Sequence, residues 1–199
     1  GFGYWKNNNI ALGHRRLSII DIKGSPQPMS EDKKQFTITY NGEIYNYLEL
    51  KTELQNLGHV FSTKGDTEVI LKSYQEWGTK CLNKFRGMFA FAIVDTLNNE
   101  VFLARDHFGI KPLVYYVGET YFMFGSEIQQ FPEHRSFAKN IDIDALYQYL
   151  QFGYIPAPLT IYENLYKLEP GNYIRLNHKG DIIEQKEYYD IDFKVNHDT

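Results

Sequence analysis

Apolar positions fall into short blocks along this chain, and the spacing within each block predicts its local structure. The stretch from Asn9 to Asp21 alternates loosely and ends at Lys23-Gly24-Ser25-Pro26, the pattern of a strand followed by a turn. Gln35 to Tyr40 (QFTITY) is β-branched and aromatic, which predicts a second strand that stops at a sharp turn on Asn41-Gly42. From Asn46 to Leu57 the period becomes helical, with Leu50, Leu54 and Leu57 on one face, Asn46 and Glu49 placed as a capping box, and Gly58 just past the end. A second helix is predicted from Asp66 to Trp77, where Ile70, Tyr74 and Trp77 share a face, Gly78 follows, and Asp66 suits the N-cap.

Gly87 to Val94 (GMFAFAIV) is apolar throughout, as are Val101 to Ala104 and Tyr121 to Phe124. Runs of strand length with no polar alternation belong to strands covered on both faces. Gly118-Glu119 predicts a hairpin. A third helix over Asp142 to Phe152 is expected to turn Leu146, Tyr149 and Leu150 inward, with Gly153 at its end and Pro156 and Pro158 barring continuation. Doubly covered strands beside amphipathic helices predict a mixed α+β sandwich. From about Asp181 the chain turns polar and reads as a linker, giving a domain over residues 1–180 and a linker over 181–199.

Composition narrows the function. A chain of 199 residues with 43% hydrophobic and 16% aromatic residues can bury a substantial core. A net charge of -4 with dispersed Lys and Arg argues against a nucleic-acid partner. No apolar run approaches the ~18 residues of a membrane span, and no signal-peptide pattern opens the chain. The single cysteine, Cys81, excludes an internal disulfide framework and fits a cytoplasmic location. No phosphate loop, dinucleotide-binding glycine pattern, zinc-protease motif or hydrolase elbow is present, and the six histidines are scattered.

What remains is polar residues at the ends of apolar elements: Arg16 before LSIID, Asn41-Gly42-Glu43 after a strand, and Asp66 opening a helix. An arginine grips a carboxylate through two parallel hydrogen bonds, and acids suit an ammonium group. An amide side chain beside a backbone N–H has the makeup of an oxyanion hole. Cys81, among apolar neighbours, reads as a buried filler, and Arg105-Asp106 with Lys111 reads as a structural turn.

At these residues the chain resembles a known family, the class II glutamine amidotransferase (glutaminase) domain of glutamine-dependent asparagine synthetases. The phrases that carry the resemblance are GHRRLSIIDIKGSPQPM (Gly13 to Met29), YNGEIYNYLEL (Tyr40 to Leu50), GDTEVIL (Gly65 to Leu71), FRGMFAFAIVD (Phe85 to Asp95), LARDHFGIKPLVYY (Leu103 to Tyr116) and FGSEI (Phe124 to Ile128), in order. The resemblance implies the four-layer αββα sandwich of N-terminal nucleophile hydrolases. It implies that Arg16, with backbone groups around Leu17, Ile19 and Ile20, holds the α-carboxylate of L-glutamine. Glu43 and Asp66 would take the ammonium group, and the Asn41 side chain and Gly42 N–H would form the oxyanion hole. In this family the nucleophile is an N-terminal cysteine, whereas this chain begins at Gly1 in a GFGYW phrase that lies downstream of it. The 199 residues alone are therefore expected to be inactive.

The resemblance further implies no cofactor in this chain. It implies a synthetase domain on the same polypeptide that uses ATP and Mg to amidate aspartate, and a homodimer stays open. Two alternatives remain: a cysteine-less relative that binds or regulates, and an amidotransferase with another acceptor.

Overall fold

The computed structural model describes residues 1–15, 26–31 and 35–191. The chain opens with a hairpin of β1 (Phe2–Lys6) and β2 (Ala11–Arg15). Then come β3 (Met29–Ser30), β4 (Phe36–Ile44), α1 (Tyr47–Asn56), α2 (Asp66–Trp77) and a 3-10 segment, Gly78–Lys84. Strands β5 (Gly87–Asp95), β6 (Glu100–Arg105), β7 (Val114–Val117) and β8 (Phe122–Gly125) lead to a second 3-10 segment, Ile128–Glu133, and α3 (Ile143–Phe152). The chain closes on β9 (Leu165–Lys167), β10 (Asn172–Leu176) and β11 (Ile182–Glu187). One sheet has the order β11-β10-β6-β5-β4-β3 and another the order β8-β7-β9.

The continuous apolar runs are explained by two cores on opposite faces of β5 and β6. Phe89, Phe91 and Ile93 point with Phe102 and Ala104 toward Leu50 and Leu54 of α1 and Ile70 of α2. Their neighbours Ala90, Ala92 and Val94 point the other way, with Val101 and Leu103, onto Tyr115 of the smaller sheet and Leu168 just past its strand β9. Bulky rings therefore fill the helix side and small side chains the gap between sheets, which lets two sheets pack closely. The outer face of the smaller sheet buries Val114, Tyr116 and Leu165 against Phe131 of the second 3-10 segment. The layers thus run helix, sheet, sheet, helical cover, as the resemblance implies.

Several expectations are corrected. Asn41-Gly42 is not a turn: β4 continues through it to Ile44, paired with β5 along its whole length. Glycine is needed there for closeness, since a Cβ on Gly42 would overlap the Met88 carbonyl oxygen and crowd Phe89 Cα. The dipeptide reading cannot see an approach made by a strand 47 residues away. Asn46 does not cap α1: its side chain donates to the Lys84 carbonyl at 2.9 Å and accepts the Arg86 N–H at 2.9 Å, tying the helix start to the entry of β5. Glu49 pairs instead with Arg86.

Helix α3 is present and its Asp142 cap accepts the Ala145 N–H at 2.9 Å, but Tyr149 and Leu150 face outward, and only Ala145 is fully buried. Periodicity reveals an apolar face without saying what covers it. The polar tail from Asp181 is not simply a linker. Residues 182–187 form the edge strand β11, and its polarity follows from exposure on the sheet's rim. Arg175 on β10 holds Glu100 of β6 at 2.7 Å and Glu184 of β11 at 3.0 Å, so the charges that looked like linker composition cross-brace three strands.

The position of α2 depends on Glu68. Buried in the helix's first turn, its carboxylate accepts the N–H and hydroxyl groups of both Ser62 and Thr63 at 2.6–3.1 Å. Burial pushes the carboxyl pKa up, but these hydrogen bonds outweigh it and hold the group below the ordinary glutamate value. A depressed folded-state pKa means the stabilisation is present above the unfolded value and lost as pH falls through the folded one. Glu68→Gln is expected to lower stability by about 2 kcal/mol at pH 7. The difference from the wild type should shrink as the pH falls below the ordinary glutamate range and through the lowered folded-state pKa, where the wild-type carboxylate itself protonates. Urea denaturation at neutral pH and over a descending acid series measures this.

Candidate functional site

Among the described residues, strand β4 has one paired edge and one largely open edge, which β3 covers only at Met29↔Ile38 and Ser30↔Thr37. On the closed side the bonds Thr96 N to Gln35 O (2.9 Å) and Tyr45 N to Arg86 O (2.7 Å) fix the phase of the ladder. Odd-numbered residues of β4 bond across to β5, and even-numbered N–H groups face the open edge. Two of these are taken by side chains. The Tyr40 N–H donates to Gln27 Oε1 at 3.0 Å, and the Ile44 N–H donates to Asp66 Oδ2 at 3.0 Å. Gly42 lies between them on the same edge.

Asp66 is the first residue of α2, not its cap: Gly65 occupies the cap position. Its Oδ2 also accepts the Tyr40 hydroxyl at 2.7 Å. The carboxylate is thus fixed by two donors from β4 and sits at a helix N-terminus, where negative charge is favoured. Burial, then the charge and hydrogen bond of Asp66, push the Tyr40 phenol well above its ordinary pKa, so it stays a donor, and the Glu43 charge adds to the effect.

The Asn41 side chain belongs to the other face. It lines a cavity of about 440 Å³ between the sheets with His14, Arg15, Thr39, Phe124, Ser126 and Glu127. His14 Nδ1 and Thr39 Oγ1 lie 3.0 Å apart on the same wall. Asn41, Gly42 and Glu43 therefore share one run of strand, and Asp66 is tied to it two residues further along. Arg16, Leu17, Ile19 and Ile20 lie outside the described residues. On either side of that stretch, Arg15 lines the Asn41 cavity and Gln27 bonds to β4.

A fixed carboxylate can receive an ammonium group. A carboxamide beside a strand N–H can stabilise a carbonyl oxygen that gains charge. Among the described residues no group of three or more His, Cys, Asp or Glu could hold a metal ion.

The family model for the glutamine amidotransferase domain matches residues 1–189. The chain belongs to this family. Among relatives, asparagine synthetase [glutamine-hydrolyzing] 1 of Bacillus subtilis strain 168 is 40% identical over 192 residues, covering 96% of this chain and 30% of its own length. Asparagine synthetase [glutamine-hydrolyzing] 3 of the same strain is 35% identical over 198 residues, covering 98% of this chain and 32% of its own length. The chain thus spans about a third of these relatives.

The glutamine phosphoribosylpyrophosphate amidotransferase of B. subtilis, solved with ADP and GMP, superposes with a TM-score of 0.62 at 21% identity. The match covers 90% of this chain and 35% of that one. This likeness shows that the chain shares the α+β fold of that protein over the matched residues.

Two site neighbours escaped the sequence reading. Tyr40 and Gln27 both lie inside phrases that carry the resemblance, yet neither residue type announces that its partner is a carboxylate or a strand N–H. The remaining tempting residues are structural. Asp106 is fully buried and accepts the N–H groups of Phe89, Phe108, Ile110 and Lys111, while Arg105 donates to carbonyls of Gly109, Lys111 and Leu168. Cys81 is fully buried, and desolvation raises its thiol far above the ordinary value.

Gly42→Ala places a methyl group against the β5 backbone at a φ of 155°. It is expected to cost about 3 kcal/mol of stability, read as a lower urea midpoint with unchanged slope.

Proposed function

We propose that this chain is the glutamine-binding and glutamine-hydrolysing domain of an asparagine synthase. The observation that carries the reading is the Asp66 carboxylate held on the open edge of β4, next to Asn41-Gly42, in a chain matched over residues 1–189 by the glutamine amidotransferase model. Asp66 and Glu43 receive the ammonium group of L-glutamine. Arg16, with backbone groups at Leu17, Ile19 and Ile20, receives its carboxylate. A thiolate attacks the side-chain amide carbon, and the Asn41 side chain and Gly42 N–H stabilise the oxyanion that forms. The C–N bond then breaks as the nitrogen takes the proton that the thiol had passed to the cysteine's own α-amine, so that ammonia leaves, and water hydrolyses the thioester to glutamate.

The thiolate in this reading is the N-terminal cysteine that the family carries. Cys81 cannot replace it, because burial keeps its thiol both protonated and out of reach. The 199 residues alone therefore turn over no glutamine in this reading. The names of the relatives, asparagine synthetase [glutamine-hydrolyzing], support asparagine as the product. In this reading the acceptor is aspartate, amidated by a synthetase domain of the same polypeptide with ATP and Mg, in the cytoplasm.

Expressed from its complete open reading frame, the protein should release glutamate from L-glutamine and, given aspartate and ATP, form asparagine. The isolated chain should release none. Asp66→Asn should reduce kcat/KM for glutamine by about 100-fold, chiefly through KM, as expected when one partner of a buried charge pair is removed. A folded complete protein that releases no glutamate overturns the assignment. Glutamate release without asparagine overturns only the acceptor.

A further inference from the structure

Gln27 joins β4 to α2 with one buried amide. Its Oε1 accepts the Tyr40 N–H at 3.0 Å, and its Nε2 donates to Thr67 Oγ1 at 3.2 Å. Only 6% of the residue is exposed. Its main chain is pinned as well: Gly3 on β1 packs so closely that a Cβ there would overlap the Gln27 carbonyl oxygen. The partners are adjacent to the site rather than in it. Tyr40 immediately precedes Asn41 and stands two residues before Gly42, and Thr67 immediately follows Asp66. Gln27 therefore spans from the strand that presents the N–H to the helix that presents the carboxylate, while anchored on a third element.

We infer that Gln27 is a positioning residue that sets the spacing between Gly42 and Asp66, and so aligns the carbonyl and ammonium ends of the bound amino acid. The inference rests on the glutamine reading above. Gln27 touches none of the reacting atoms and acts through Tyr40 and Thr67. If the amide merely filled a vacant hydrogen-bonding position, its loss would lower thermal stability and leave the kinetics of the folded enzyme unchanged. If it sets the spacing, two separate constants move: kcat, through the oxyanion donor, and KM, through the ammonium grip.

The test uses the full-length protein at a temperature where circular dichroism shows every variant folded. Gln27→Met keeps the length and apolar volume of the side chain and removes both hydrogen bonds. It is expected to lower kcat for glutamine hydrolysis by about 30-fold and to raise KM by about tenfold. Gln27→Glu still accepts from Tyr40 and can accept from the Thr67 hydroxyl, so it should stay within about threefold of the wild type. Thr67→Val, which breaks one of the two links, should lower kcat/KM by about fivefold.

Constants for Gln27→Met within about twofold of the wild type overturn the inference, as does a Gln27→Glu variant as impaired as Gln27→Met. Should Gln27→Met fail to fold, Thr67→Val decides by itself, and unchanged constants there overturn the inference. A wild type that hydrolyses no glutamine brings down the functional reading and this inference with it. That outcome is visible before any substitution is made.

Discussion

The candidate site follows from a strand that, among the described residues, is fully paired along one edge alone. β4 is bonded to β5 from end to end, but β3 accompanies it for only two residues on the other side. Buried main-chain N–H groups must be satisfied, and here side chains accept the Tyr40 and Ile44 N–H groups. A carboxamide takes one position and a carboxylate another, and between them lies the glycine whose N–H the proposed reaction uses. The polar residues of the site are therefore also the groups that make a half-paired strand tolerable inside the protein.

Two further constraints hold that edge in place. From below, β5 alternates large rings and small alanines, so the sheet is gripped on both faces and β4 cannot shift its register without exposing one set. From the side, the Glu68 carboxylate gathers Ser62 and Thr63 and fixes the loop that delivers α2. Asp66 thus arrives at β4 already oriented, and its two donors are pre-organised rather than recruited on binding. The Tyr40 hydroxyl, kept protonated by burial and by the carboxylate beside it, secures one of these donors.

Much of this was visible in the sequence where a residue's environment is set by its own neighbours. GMFAFAIV announced double burial because no position could be spared for water, and α2 ran from Asp66 to Trp77 as its period and its closing glycine required. The failures share a cause, which is that distant chain decides the outcome. Asn41-Gly42 looks like a turn until β5 presses on it, and Asn46 looks like a cap until Lys84 and Arg86 compete for its amide. The apolar stripe of α3 was visible, but its exposure was not. The site residues were found through their resemblance to a family. Gln27 and Tyr40 were not, because their partners are a backbone amide and a carboxylate that only the folded chain brings near.

The bond from the Ile44 N–H to Asp66 has a consequence for how this segment can diverge. The side chain at position 44 is not part of that bond, so substitutions compatible with the core would leave it intact. The count of residues between Tyr40 and Ile44 is another matter. One inserted or deleted residue would send the 44 amide to the opposite edge and leave the carboxylate with a single donor. Over these five positions, drift in letters is tolerable and drift in length is not.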